Sequence, residues 1–141
     1  MLIELGIAAA ILTGTENQEL QPEHEAEIAL GVAQSPEYGL DAEQTLLLLV
    51  LRRCEGGAKG REWGVGSGDP DHPARRFADD PDTEHSVECQ AKWAAGTIKK
   101  HYTTETGYDY VTFLRRWNPK GWKRESANVA FYLRKYGSYV R

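Results

Sequence analysis

Apolar positions along the chain fall into blocks with helical spacing, separated by polar stretches rich in glycine and proline. From Leu2 to Leu12 every position but Glu4 is apolar, which predicts a packed helix, and Thr13-Gly14-Thr15 breaks it. An acidic helix is expected over about Pro22–Ala33, followed by a loop at Ser35-Pro36-Glu37-Tyr38-Gly39. Asp41, with Gln44 three residues on, has the pattern of a capping box and starts the clearest helix. Leu46 to Leu51 is an unbroken apolar run, which in a helix requires burial on nearly all sides. Gly56-Gly57 stops that helix and leaves Arg52, Arg53, Cys54 and Glu55 in its last turn.

Residues 56–83 are rich in Gly, Pro and Asp and carry little periodic signal. A loop of that length inside a compact domain is usually functional. Beyond it, Glu84–His101 reads as helix with a stripe of Val87, Ala91, Ala94 and Ile98, and Gln90 and Thr97 beside the stripe. Tyr108–Arg116 is a further helix with Tyr110, Phe113, Leu114 and Trp117 on one side, ended by Asn118-Pro119-Lys120-Gly121. Ser126 is expected to cap the last helix, whose inner face is Val129, Tyr132, Leu133 and Tyr136, and Gly137 to close it. No repeat or low-complexity tract is present. The pattern predicts a mainly α fold with one long irregular loop at about 56–83.

Composition adds limits. A chain of 141 residues suits one domain and buries enough surface to fold without a disulfide or metal staple. Two cysteines are too few for a disulfide scaffold or a zinc quartet, and no apolar stretch approaches the ~20 residues of a membrane-crossing helix. Charge is unevenly spread. Residues 1–91 carry 6 Lys/Arg against 18 Asp/Glu, a formal −12, whereas residues 92–141 carry 11 against 3, a formal +8. Eleven of the fourteen aromatic residues also lie in that last third. Such a segment suits an anionic polymer, or simply neutralises the acidic part when the two fold together.

Glu55 is the first candidate for chemistry. A carboxyl group ending a greasy helix and followed by two glycines is half buried and open on one side. Apolar surroundings and the negative end of the helix dipole both disfavour its charged form, as a general acid near neutral pH requires. Read alone, the pattern also fits an ordinary solvent-facing glutamate at a helix end.

The order of features resembles the lysozyme-like superfamily, in particular the lytic transglycosylases and goose-type lysozymes. Their first motif, a helix ending in a catalytic Glu followed by small residues, is similar to Arg53-Cys54-Glu55-Gly56-Gly57. Their second, Ser then Gln at the start of a helix after a loop, is similar to Ser86-Val87-Glu88-Cys89-Gln90, without the Gly-Leu-Met that usually precedes the Gln. An Ala-Tyr-Asn-Gly-like turn resembles Arg116-Trp117-Asn118-Pro119-Lys120-Gly121, with Trp in place of Tyr. A closing helix with a cleft-facing Tyr resembles Asn128-Val129-Ala130-Phe131-Tyr132. These departures are of the kind found in phage-encoded or prophage-derived relatives. The resemblance covers about residues 41–140 and implies a lysozyme-like catalytic domain at 41–141, with 1–40 as a helical extension packed on it.

What the resemblance implies is cleavage of the β-1,4 bond between N-acetylmuramic acid and N-acetylglucosamine in peptidoglycan. Glu55 would be the general acid and then the base, by lytic transglycosylase or muramidase chemistry, with no cofactor and no metal. Gln90 and Ser86 would face the substrate from the opposite helix. Trp117 and Tyr132 would line the sugar cleft, Asn118 would fix the turn behind them, and Trp63 would pack or anchor the loop. A muramidase needs a second carboxylate, for which the loop offers Asp69, Asp71, Asp79, Asp80 and Asp82 without a motif that chooses among them.

Other readings make different demands. A non-catalytic relative, such as a virion component that binds glycan through a partner-docking N-terminal region, would not need Glu55. A nucleic-acid-binding domain would use Lys99-Lys100, Arg115-Arg116 and Lys123-Arg124 with Trp117 and Trp122, although no recognised motif supports it. An interaction module built on the acidic N-terminal helix has only composition behind it. The alternating acids of Asp80-Pro81-Asp82-Thr83-Glu84-His85 lack the glycine and glutamate of a calcium loop and read as a polar helix start. Cys54 and Cys89 are expected to be free, buried thiols. With no positively charged leader before the apolar start, synthesis in the cytoplasm is expected, with action at the wall after lysis or carriage in a virion.

Overall fold

A computed structural model describes residues 3–140. Among these the secondary structure is six α-helices and two short 3-10 turns, with no strand, so the fold is mainly α. The helices are α1 (Leu5–Leu12), α2 (Pro22–Gln34), α3 (Ala42–Glu55), α4 (Thr83–His101), α5 (Tyr110–Trp117) and α6 (Trp122–Tyr136). One 3-10 turn, Pro73–Arg75, lies in the loop between α3 and α4, and the other, Gly137–Tyr139, follows α6.

The core forms around α3. Asp41 Oδ1 accepts from the Gln44 amide at 2.8 Å and Gln44 Oε1 accepts from the Asp41 amide at 2.9 Å, the reciprocal box the sequence predicts. Leu46 to Leu51 are all 0% exposed, so α3 is surrounded rather than amphipathic. It is covered by α1, α2, α4 and α6. Burying six such side chains contributes about 1.5–3 kcal/mol each.

The first two helices belong to this core. Ile3, Ala8, Ile11 and Leu12 join Ala26, Ala29, Leu30 and Ala33 in one apolar cluster with α3, α4 and α6. A buried ion pair adds a directional link. Arg52 of α3 meets Glu25 of α2 through Nε and Nη2, both at 3.0 Å, with each side chain 1% exposed, and Gln18 also donates to Glu25.

Two helix starts differ from expectation. α5 begins at Tyr110 because Asp109 caps it, accepting from the Val111 and Thr112 amides, while Tyr108 sits in the left-handed region at φ +52°. α6 begins at Trp122, four residues before Ser126. Asn118 Oδ1 accepts from the Gly121 amide at 3.0 Å, and the turn this closes runs straight into the helix. Ser126 therefore lies inside α6, and no side chain caps that helix. No helix among the described residues is long and apolar enough to cross a membrane.

Candidate functional site

Three helix side chains hold the loop after α3 by its main chain. Arg52 Nη1 donates to the Gly57 and Glu62 carbonyls at 3.0 and 2.9 Å. Ser86 Oγ accepts from the Gly60 amide at 2.9 Å. Gln90 contributes most. Its Nε2 donates to the carbonyls of Gly60, Val65 and Ala74 at 3.0, 2.9 and 3.0 Å, and its Oε1 accepts from the amides of Trp63 and Val65 at 3.0 and 3.3 Å. Trp63 is fully buried and donates from Nε1 to the Leu48 carbonyl at 2.8 Å, so it anchors the loop to α3. Two glycines make the entry possible. Gly56 turns the chain at φ +55°, and a Cβ on Gly57 would sit 1.6 Å from the Arg61 carbonyl oxygen.

These bonds correct the roles expected for Gln90 and Ser86. They are 0% and 1% exposed and bonded to the loop, Gln90 to its main chain and Ser86 to the Gly60 amide and the Glu62 carboxyl, and neither lines the Glu55 groove. They shape the wall from behind. Burial also pushes the Glu62 carboxyl up, against the hydrogen bonds it takes from Ser86 and the Gly60 amide.

Held this way, the loop forms one side of a groove of about 420 Å³ that contains Glu55, Trp117 and Asn118. Gly64, Val65, Gly66 and His72 come from the loop, and Trp93, Thr97 and Arg116 from α4 and α5. Trp117 Nε1 donates to Glu55 Oε1 at 3.0 Å, fixing the plane of the carboxyl group, and the Trp117 ring is stacked on Phe113 at 5.6 Å. Gly64, at φ +76°, lies against the other oxygen: a Cβ there would be 2.6 Å from Oε2. Asn118 orders the turn into α6, as its bond to Gly121 shows.

A carboxyl group outside every sequence motif completes the arrangement. Glu125, in the first turn of α6, is buried, and Asn118 Nδ2 lies 3.5 Å from its Oε1. Burial first, and then the contact with Glu55 and its charge, raise Glu125 far above the ordinary carboxylate range. The same two carboxyls, after burial itself, push the Cys54 thiol up to about 12.

Tyr132 is not in this groove. Its hydroxyl accepts from Arg53 Nε at 3.1 Å and it lines a separate pocket of about 240 Å³ with Gly14, Glu16 and Asn128. The reason is rotational: Arg53 and Glu55 point away from opposite sides of the last turn of α3, and Tyr132 follows Arg53. None of Asp69, Asp71, Asp79, Asp80 or Asp82 lines the groove either. Asp82 caps α4 by accepting from the Glu84 amide, and Asp80 pairs with His85 at 3.0 Å. Both cysteines are free. Cys89 is buried, whereas Cys54 is half-buried, less than expected. Trp122, proposed for stacking on bases, has the Arg115 guanidinium over its ring at 4.6 Å.

A larger cavity of about 730 Å³ lies along α4 and shares Trp93 and Thr97 with the Glu55 groove. Among the described residues no group of three His, Cys, Asp or Glu side chains is arranged to hold a metal ion. Comparison with known proteins finds no match to a family model, to a curated protein or to a solved structure.

Proposed function

We infer that the chain cleaves peptidoglycan glycan strands, with Glu55 as the general acid and base. The observation that carries this reading is the placement of Glu55. It ends a helix whose middle, Gln44 to Arg52, is buried; it faces a groove and is oriented by the Trp117 indole. In the reaction Glu55 protonates the glycosidic oxygen while positive charge develops at the muramic C1. It then takes the proton from the hydroxyl that attacks C1, either the muramic 6-hydroxyl or water.

The carboxyl groups that line the groove favour the 6-hydroxyl. Hydrolytic pairs stand about 5–5.5 Å apart when retaining and about 6.5–9.5 Å apart when inverting. Among the described residues Glu55 is the one carboxyl group lining the groove: Glu125 is buried elsewhere and the loop aspartates are outside it. One carboxyl group in the groove suits an intramolecular attack that forms a 1,6-anhydro ring.

The test is muropeptide release from purified peptidoglycan by wild type and Glu55→Gln, with mass analysis of the products. Anhydro-muropeptides that disappear in the variant are expected. Reducing-end products would replace the transglycosylase reading with a muramidase, and no release by wild type from walls of several bacteria would refute cleavage.

A further inference from the structure

The cavity of about 730 Å³ along α4 has no part in the chemistry described so far, yet it adjoins the Glu55 groove. Trp93 and Thr97, one turn apart on α4, line both spaces. Trp93 is 43% exposed and stands edge-on to His72 of the groove, with ring centroids 5.0 Å apart. A branched ligand held at Glu55 can therefore extend past Trp93 into the cavity.

The lining defines the chemistry of such a branch. Arg76, Lys92 and Lys100 bring three cations against one carboxylate, Glu88, which is already paired with Lys92 at 3.1 Å. Among the described residues Arg76 and Lys100 have no ion pair, and the Arg76 guanidinium lies over the Phe77 ring at 4.7 Å. Cations beside aromatic rings suit a chain that carries carboxylates and small apolar groups. A further run of sugars would call for planar amides and carboxylates that pair with neighbouring hydroxyls, and among the described residues no Asn, Gln or Asp side chain lines the cavity.

Gly96 points the same way. A glycine inside a helix is less stable than an alanine, and a Cβ at this position would meet only Tyr38 Cε1, at an ordinary contact distance of 3.7 Å. Packing does not require glycine there. Its bare backbone leaves the cavity open beside Tyr38. The volume lies within the roughly 300–1,000 Å³ of pockets that enclose small ligands, which is room for a short peptide.

We propose that this cavity binds the acidic stem peptide of peptidoglycan, the chain of alanine and acidic residues that branches from the lactyl group of the muramic sugar. This rests on the glycan-cleaving reading above. With the muramic C1 at Glu55, the stem passes Trp93, its methyl groups lie against the Trp93 and Phe77 rings, and its carboxylates meet Arg76 and Lys100. The substrate is then a glycan that still carries its peptides, and the cavity distinguishes it from bare strands.

The experiment is an amide NMR titration of the full chain with a soluble muropeptide (the disaccharide with its stem peptide) and with the peptide-free disaccharide. The muropeptide should shift the Gly96 and Phe77 amides, whereas the disaccharide should shift Gly64 in the groove and leave Gly96 and Phe77 in place. Arg76→Gln with Lys100→Gln, both at exposed positions, should weaken muropeptide binding about tenfold. Gly96→Leu fills the cavity and should abolish the shift at Phe77. An equal response of Gly96 to both ligands would assign the cavity to sugar, and silence there with the muropeptide, or unchanged binding by the double variant, would equally overturn the proposal. Muropeptide release from purified peptidoglycan, measured beside the titration, separates the two readings. Release by a protein whose Gly96 and Phe77 amides stay silent removes the stem-peptide site alone. A cavity that fills in a protein releasing nothing from the walls of several bacteria removes cleavage and leaves the peptide site standing.

Discussion

At Gly64 the backbone lies so close to Glu55 that a single methyl group would stand 2.6 Å from Oε2. Gly64→Ala therefore strains the loop at a positive φ, by about 1–2 kcal/mol, and also displaces the carboxyl. Misplacement of a reacting group by about 1 Å can lower rates about 100-fold. Gly64→Ala should thus lose far more muropeptide release than thermal stability, as paired activity and melting measurements would show. Trp117→Phe is a finer probe, because it keeps the ring on Phe113 and deletes the N–H. The lost hydrogen bond, about 1–2 kcal/mol, should lower release about tenfold with little change in melting temperature. Glu125 also makes a stability prediction. Its carboxyl holds a proton in the folded protein that the unfolded chain releases above about pH 4.3. The folded state binds more protons, so stability is full below that pH and falls as pH rises towards the folded value, by up to about 1.4 kcal/mol per pH unit. Denaturant unfolding at several pH values should show this slope reduced in Glu125→Gln.

Helix by helix, the sequence announced what hydrophobic periodicity and capping chemistry determine. Asp41 and Gln44, the apolar run to Leu51 and the stop at Gly56 were legible because each is a local signal. Glu125 was hidden by one misread boundary. With Ser126 taken as the cap, Glu125 fell outside the helix; counting four residues back from Val129 would have placed it on the buried face. Gln90 stood beside an apolar stripe, and nothing local distinguishes a glutamine that binds sugar from one that binds backbone. That distinction depends on where a loop some thirty residues upstream returns to α4. The pairing of α2 with α3 through Glu25 and Arg52 was equally invisible, since its partners are 27 residues apart. Glu25→Ala leaves a buried arginine unpaired and should cost about 3–5 kcal/mol by denaturant unfolding. Glu25→Ala with Arg52→Met should recover much of that.

Across the whole molecule, the acidic and basic parts of the chain share one core but differ in how their charges are used. Arg52 and Glu25 are internal, whereas some cations of α5 and α6 stand over rings: Arg115 over Trp122, and Lys135 over Tyr136 at 5.4 Å. Arg116 reaches the groove itself. A cationic, aromatic exterior next to the groove should draw the protein to an anionic wall. Binding to insoluble peptidoglycan should weaken as salt rises towards about 1 M, where the Debye length is about 3 Å. Arg115→Glu combined with Lys135→Glu should weaken it further at low salt. Binding indifferent to both would assign these cations to solubility alone.

The grip of Gln90, Ser86 and Arg52 on carbonyls and amides has a consequence for variation. A segment recognised by its main chain is indifferent to most of the letters written on it. The stretch from Ser67 to Asp71 is exposed and can be rewritten without loosening the grip, whereas Gly57, Gly60, Trp63 and Gln90 cannot. A saturation library across residues 56–83 should therefore split sharply into a few intolerant anchors and a permissive rim. That rim is where binding specificity could be changed while the scaffold stays the same.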